Sequence, residues 1–322
     1  MRAFVTGGSG FLGKKLIEVL CARGDEVSAL ARSDGAVRTV EAAGARAIRG
    51  DLDDSAAMTA GMADCEVVFH CAASTAQFGD LAKIKDINVG GTERALVAAK
   101  LAGVKTFVHV STESVLIGGR PIVRADESWP LPSHPIGVYA LTKGLAETRV
   151  LAANAPGFST AIVRPRFIWG EGDTSVLPVI VEAVKKGVFK WIGGGHHLTS
   201  TCHVKNVIAG MLLAAEKSPG GQIYFLTDGE PVEVRGFLTQ LLRTAGVTPG
   251  NGSLPRWVAR VGAYLAELTW RLFRIAGEPP VTRSAVRLIG EEVTVSDEKS
   301  RRELGYIPVI TLEAGLKELD AP

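Results

Sequence analysis

The sequence is most restrictive in what it lacks. No window holds ~18 or more uncharged apolar residues, so no membrane-spanning helix is expected. There is no basic run, and the formal net charge is only +2, which leaves nothing to attract a nucleic acid. Cysteine is scarce. Cys21, Cys65, Cys71 and Cys202 show no metal-ligand spacing, and the first three lie within or beside apolar runs. Buried free thiols in a reducing, cytoplasmic compartment are expected, with no metal site. The first strand begins at residue 2, so no signal or transit peptide is expected. What remains is ordinary globular composition, 46% hydrophobic and 22% charged. At 322 residues it suits one large domain, or a large one and a small one.

The chain opens on Phe4-Val-Thr-Gly-Gly-Ser-Gly-Phe-Leu-Gly13. Ala3 to Val5 reads as a strand, and Phe11, Leu12, Leu16, Ile17 and Leu20 recur at helical spacing, so a helix starts inside the glycines. Glycine permits a sharp turn and a close backbone approach to a pyrophosphate, while the helix N-terminus offers free N–H groups. Gly8-x-Gly10-x-x-Gly13, with Gly7 beside it, fits the dinucleotide fingerprint. Gly is 37 of the 322 residues, so the flanking strand and helix make the pattern meaningful. Gly7, Gly10, Phe11, Leu12 and Gly13 are the expected cofactor contacts here.

A second strand, Glu26 to Arg32, ends without the acid that bonds an NAD ribose. Arg32 instead suits the 2′-phosphate of NADP, although a solvated surface arginine is the plain alternative. After a third strand at Ala45 to Arg49, Asp51 is a candidate for the adenine amino group, with Leu52 beside it. Asp51 or Asp53 could equally cap the next helix. The near-continuous apolar strand Cys65 to His70 suits a parallel sheet covered on both faces. Cys71-Ala72-Ala73 follows it, and small residues there let a cofactor lie close. His70 reads as a satisfied structural histidine, since no metal or nucleophile partner is in sight. One long helix is expected over Asp80 to Ala102, with Gly90 and Gly91 packed closely against a neighbour. Thr106 to Val110 is a fifth strand. This alternation marks an α/β doubly wound parallel sheet.

Ser111-Thr112-Glu113-Ser114 follows the fifth strand at its carboxyl end, where such sheets place ligands. In the helix beyond, Tyr139 and Lys143 are four apart and share one face. A phenol with pKa ~10 is a poor base, so a nearby ammonium and a positive nicotinamide ring are expected to lower it. Tyr139 could then exchange a proton with an alcohol oxygen as hydride moves to or from nicotinamide. Thr112, Ser111 or Ser114 would hold the same oxygen.

In this order the motifs resemble the extended short-chain dehydrogenases/reductases, the epimerase/dehydratase superfamily: Thr6 to Gly13, Ser111-Thr112, Tyr139-x-x-x-Lys143. Val163 to Asp173, His203 to Val207, Gln222 to Pro231 and Leu304-Gly-Tyr306 are similar to the 3β-hydroxysteroid dehydrogenase-like branch. The resemblance implies a Rossmann sheet with Tyr139 as acid/base, Lys143 as ribose anchor, and Pro165 to Ile168 against the carboxamide. It places the catalytic hydroxyl on Thr112, three residues before Val115, with Ser111 and Ser114 as alternatives. Many sugar-nucleotide members have Asp where Ala31 stands, which favours NADP over NAD. A homodimer through helices 80–102 and 139–153 is also implied.

A Rossmann domain over 1–165 and a smaller substrate lobe over 166–322 are expected, with segments around 200–226 returning to the first. Arg166 could face a substrate carboxylate or make a structural ion pair. His196-His197 reads as loop. Over Leu254 to Ala276, Arg256, Arg260, Glu267, Arg271 and Arg274 fall within about 60° of a helix, and the rest is largely apolar. Such a helix is buried in the lobe core, lids a lipophilic substrate, or lies on a membrane. The expected activity is NADP(H)-dependent interconversion of a secondary hydroxyl and a ketone on a hydrophobic substrate, sterol-like or long-chain 3-oxoacyl. A nucleotide-sugar epimerase/dehydratase with tightly bound NAD is the alternative, and a non-catalytic dinucleotide sensor a third.

Overall fold

The computed structural model describes residues 1–320. Strands and helices alternate at once: β1 (Arg2–Thr6), α1 (Phe11–Ala22), β2 (Glu26–Ala31), α2 (Asp34–Ala42), β3 (Arg46–Arg49), α3 (Ser55–Gly61) and β4 (Val67–His70). Ser33 caps α2 and Asp54 caps α3 through side-chain oxygens, so neither Asp51 nor Asp53 is the cap. The helix expected over 80–102 is continuous but irregular. Its first part, α4 (Leu81–Lys85), passes through a π turn at Asp86–Gly90 into α5 (Gly91–Leu101). Then come β5 (Thr106–Val110), β6 (Ile122–Ala125), α6 (Val138–Ala153) and β7 (Ser159–Pro165).

The second half starts with β8 (Ile168–Trp169), α7 (Leu177–Lys185), β9 (Trp191–Ile192), β10 (Leu198–Thr199), β11 (Cys202–His203), α8 (Val204–Lys217) and β12 (Gln222–Leu226). It closes with β13 (Val232–Glu233), α9 (Val234–Thr244), β14 (Ser253–Leu254), α10 (Arg256–Leu272), α11 (Arg283–Gly290), β15 (Val293–Val295), α12 (Glu298–Leu304) and α13 (Leu312–Leu319).

Seven parallel strands form the central sheet in the order β12-β7-β5-β4-β1-β2-β3, a doubly wound Rossmann-like arrangement. Side chains alternate across it, Ala3 and Val5 packing on one face and Phe4 on the other. Phe4, Phe69 and Phe107 are fully buried, each contributing about 1.5–3 kcal/mol. The strand order reverses between β1 and β4, which opens a crevice at their carboxyl ends. Gln222–Leu226 returns to this sheet beside β7, while β6 leaves the first half to join β13, β10 and β15 in a second sheet.

Two expectations need correction. Cys21 and Cys71 are only half-buried, because they sit where α1 and β4 give way to loop; all four thiols are unpaired. The helix at 254–276 is not core. Only Ala259, Ala263 and Glu267 of α10 are buried, while Trp257, Leu265 and Leu272 are 67, 53 and 72% exposed. Its charged stripe holds it to the protein instead: Arg260 bonds Glu291, and Glu267 bonds Arg283. No helix among the described residues is long and apolar enough to cross a membrane.

Candidate active site

The loops after β1 and β4 meet edge to edge. Gly7 has φ +71°, and a Cβ on it would lie 2.7 Å from the Ala72 backbone nitrogen. A Cβ on Gly13 would lie 2.2 Å from the Gly7 carbonyl oxygen, so both positions demand glycine. Gly10 differs. A Cβ there would meet only Gly7 O at 3.4 Å. Gly10 lines a cleft of about 280 Å³ with Gly7, Arg32, Asp51, Leu52, Ala72 and Ala73. A backbone stripped of side chains beside the start of α1 suits a pyrophosphate. Phe11, Leu12 and Gly13 begin α1, but the first two pack toward the sheet core and none of the three lines this cleft.

Arg32 stands at the cleft rim with its side chain 75% exposed, and its Nη1 is 3.8 Å from Asp51 Oδ2. That contact is long and solvated, leaving the guanidinium free to take an anion. Asp51 accepts from the Leu52 N–H at 2.8 Å, which orients it without capping a helix.

The hydroxyl cluster and the tyrosine helix come together beyond β5. Thr112 Oγ1 lies 2.9 Å from Glu113 Oε2 and 3.0 Å from Ser114 Oγ, and it caps the short turn over Glu113–Leu116. Burial and the Glu113 carboxylate push the Tyr139 phenol above its ordinary range, and the Thr112 hydroxyl beside it only partly offsets this. The expected lowering of Tyr139 by Lys143 is absent here, because Lys143 turns away. Its Nζ donates to Val110 O at 2.7 Å and lies 3.0 Å from His109 Nε2, and burial lowers its pKa to about 8. Ser111 is buried beside them with its hydroxyl unpartnered. Pro165 ends β7 and Ile168 begins β8, with Phe167 between them at φ +46°, a strained conformation for a non-glycine residue.

Behind this cluster lies a layer of buried polar groups. His70 bonds Thr6 through Nδ1 at 2.8 Å and Thr92 through Nε2 at 3.1 Å, and burial lowers its pKa to about 3. It is the structural histidine expected, and it stacks on His109 at 5.3 Å. Arg166 pairs with Glu113 at 3.0 Å rather than reaching toward a substrate carboxylate, and it also donates to Leu288 O. One turn past Lys143, Glu147 holds Arg164 by two hydrogen bonds of 2.8 and 2.6 Å.

Three residues escape sequence reasoning. Glu113 and His109 sit inside patterns that look like turn and strand, and their partners are 53 and 34 positions away. Asn88 is the third. From the π turn it bonds both Ser74 backbone groups and the Thr142 hydroxyl, tying the loop after β4 to the tyrosine helix. The paired glycines after it were the signal: a Cβ on Gly91 would lie 2.8 Å from Leu52. His196 bonds Glu233 and His197 bonds Ile289 O, so neither is poised for chemistry.

A doubly wound sheet with a glycine-walled crevice at its reversal point, and a Tyr/Lys helix closing over hydroxyls from β5, is the build of an extended short-chain dehydrogenase/reductase. The comparisons narrow this. Residues 4–256 match the 3-beta hydroxysteroid dehydrogenase/isomerase family. The chain is 51% identical over 319 residues to the 4-hydroxy-2-methyl-3-oxo-4-farnesyl-3,4-dihydroquinoline-1-oxide ketoreductase of Stigmatella aurantiaca, covering 99% of this chain and 96% of that one. To the 2-alkyl-3-oxoalkanoate reductase of Stenotrophomonas maltophilia it is 36% identical over 330 residues, covering 100% and 99%. The UDP-glucose 4-epimerase of Thermotoga maritima shares its fold, with TM-score 0.76 at 23% identity over 98% of this chain and 96% of that one. The chain belongs to the 3-beta hydroxysteroid dehydrogenase/isomerase family and is a nicotinamide-dependent oxidoreductase acting on CH–OH groups.

Proposed function

We propose that this chain interconverts a secondary hydroxyl and a ketone on a hydrophobic substrate, using NADP(H), with residues 1–165 as cofactor lobe and 166–322 mainly as substrate lobe. The observation that carries the chemistry is the Thr112–Ser114 hydroxyl cluster at the open end of β5, with Tyr139 beside it one helical turn before buried Lys143. The substrate class rests on the relatives, whose names each carry an oxo group and an apolar chain.

Hydride donation and acceptance belong to the bound nicotinamide. The chain supplies the rest. A substrate oxygen between Thr112 and Tyr139 is held by two hydroxyls. Tyr139, kept protonated by burial and Glu113, donates its proton as the carbonyl oxygen gains charge in reduction and takes it back in oxidation. Lys143, one turn from Tyr139 and held on Val110 O, takes the role of ribose anchor that the family resemblance implies. Gly7 and Gly10 accept the pyrophosphate, with Gly13 packed against Gly7 behind them; Asp51 and Leu52 take the adenine, Ala72 and Ala73 the middle of the cofactor, and Pro165 to Ile168 the carboxamide. Arg32 takes the 2′-phosphate. The exposed Val97 and Leu101 on α5 support a homodimer in which α5 and α6 pair across a two-fold.

The test is NADPH oxidation with a panel of sterol ketones, 3-oxoacyl compounds and UDP-sugars. Turnover is expected with ketones carrying long apolar groups. Turnover confined to UDP-sugars would overturn the substrate class.

A further inference from the structure

The apolar face of α10 is turned the wrong way for a globular protein. At 100° per residue, Trp257, Val261, Tyr264, Leu265, Leu268 and Leu272 fill an unbroken arc of about 100°. All six are exposed, between 47 and 72%. Phe273 and Ile275 extend the patch at 70 and 41%. Ordinarily such an arc faces the core. Here the ion pairs Arg260–Glu291 and Glu267–Arg283 take the inner side and hold the helix with its apolar arc outward.

We infer that α10 docks this enzyme onto an anionic lipid surface. Charge supports lipid as the occupant. Between residues 256 and 291 stand six arginines against three glutamates. Arg256, Arg260 and Arg271 border the apolar arc along one side, Arg274 follows in the turn, and Glu291 is shared by Arg260 and Arg287. An exposed apolar strip flanked by arginines, with Trp257 and Tyr264 on it, matches the headgroup boundary of an anionic bilayer. Charge argues against a second copy, which would bring the same excess of arginine to the same face, like charge against like.

The location gives the docking a use. Arg271 lies over the Phe78 ring, Gln77 N–H donates to Glu278 at 2.9 Å, and Ser284 on α11 packs against Gly137, two residues before Tyr139. Docking through α10 and its neighbour α11 therefore sets the membrane near the start of the tyrosine helix, where an apolar substrate dissolved in lipid is delivered. That purpose rests on the apolar-substrate reading; the docking does not.

The full chain is sedimented with phosphatidylcholine vesicles, with and without phosphatidylglycerol, in the absence of substrate. Wild type is expected to pellet with the anionic vesicles, with Trp257 fluorescence shifting to the blue. Leu265→Glu/Leu268→Glu should lower partitioning at least about tenfold, with NADPH binding and circular dichroism unchanged. Arg271→Gln/Arg274→Gln should remove the preference for anionic lipid. Wild type remaining in the supernatant with anionic vesicles overturns the inference. So does pelleting that the Leu265/Leu268 variant leaves intact, or self-association without lipid that this variant abolishes. Substrate specificity is read separately, so either reading can fail alone.

Discussion

Lys143 Nζ lies 3.0 Å from His109 Nε2 and 2.7 Å from Val110 O, so the tyrosine helix is tied by its lysine to β5. An ammonium only donates, which makes Nε2 the acceptor and puts the His109 proton on Nδ1, a buried atom without a partner. Burial holds Lys143 at about 8, and the His109 acceptor favours its charged form. His109→Leu removes that acceptor. The basic limb of the kcat/KM profile, expected near pH 8 from Lys143, should move to lower pH while the plateau changes little. An unmoved limb would separate the Lys143 charge from turnover.

Tyr139→Phe removes the proton donor and leaves the glycine cleft untouched. Turnover should fall about 10²–10⁴-fold while NADPH affinity stays within about twofold. Thr112→Val should retain more activity, since Ser111 and Ser114 hydroxyls remain beside it. Single-turnover kinetics read both; a Tyr139→Phe enzyme near wild-type rate would move the acid/base elsewhere.

Arg32→Ala tests the phosphate clamp. Direct titration should show NADPH binding weakened at least about tenfold, the scale of one charge-assisted hydrogen bond. NADH affinity should be unchanged. If the intact protein binds both cofactors equally, Arg32 is a solvated surface residue.

The Glu113–Arg166 pair, with side chains 3 and 5% exposed, predicts non-additivity. Glu113→Gln leaves a buried guanidinium without its counterion and should cost about 3–5 kcal/mol in urea unfolding. Adding Arg166→Met should recover a large part of that loss. Two simply additive losses would mean that the pair is not coupled in solution.

Acid stability follows from the stacked histidines. Unfolded, His70 takes up a proton near 6.5, whereas folded it resists until about 3. The unfolded chain therefore binds more protons between those values, so stability falls as pH drops from about 6.5 toward 3. Burial and Lys143 lower His109 in the same sense. His70 should contribute about 1.4 kcal/mol per pH unit across that window, and His109 adds to the slope in the same direction. His70→Gln should lower stability at neutral pH and flatten the acid slope, both readable from chemical denaturation at stepped pH.

The glycine-walled cleft is legible because it is written locally. A strand, four glycines and a helix lie within the first twenty residues, and period and turn chemistry suffice to read them. Tyr139 and Lys143 were legible for the same reason, one helical turn apart. The groups that tune them were not. Glu113 and His109 acquire meaning only from Arg166 and Lys143, which the sheet brings near. Residues 254–276 show the limit most clearly. Their charged stripe and apolar arc were plain, but which side faces inward depends on Glu291 and Arg283, 31 and 16 positions after their partners on α10.

The π turn at Asp86–Gly90 sets a phase. A regular α-helix would carry one residue fewer through this segment, and each residue rotates the chain by about 100°. Upstream of the extra residue the helix is indexed to the protein by Asp80, whose carboxylate caps its start; within the turn Asn88 is indexed to Ser74 and Thr142; downstream Thr92 is indexed to His70. Deleting one residue between 86 and 90 would straighten the helix and turn one end out of register with the other. Substitutions here therefore have a range of tolerated outcomes, but a change of length has none.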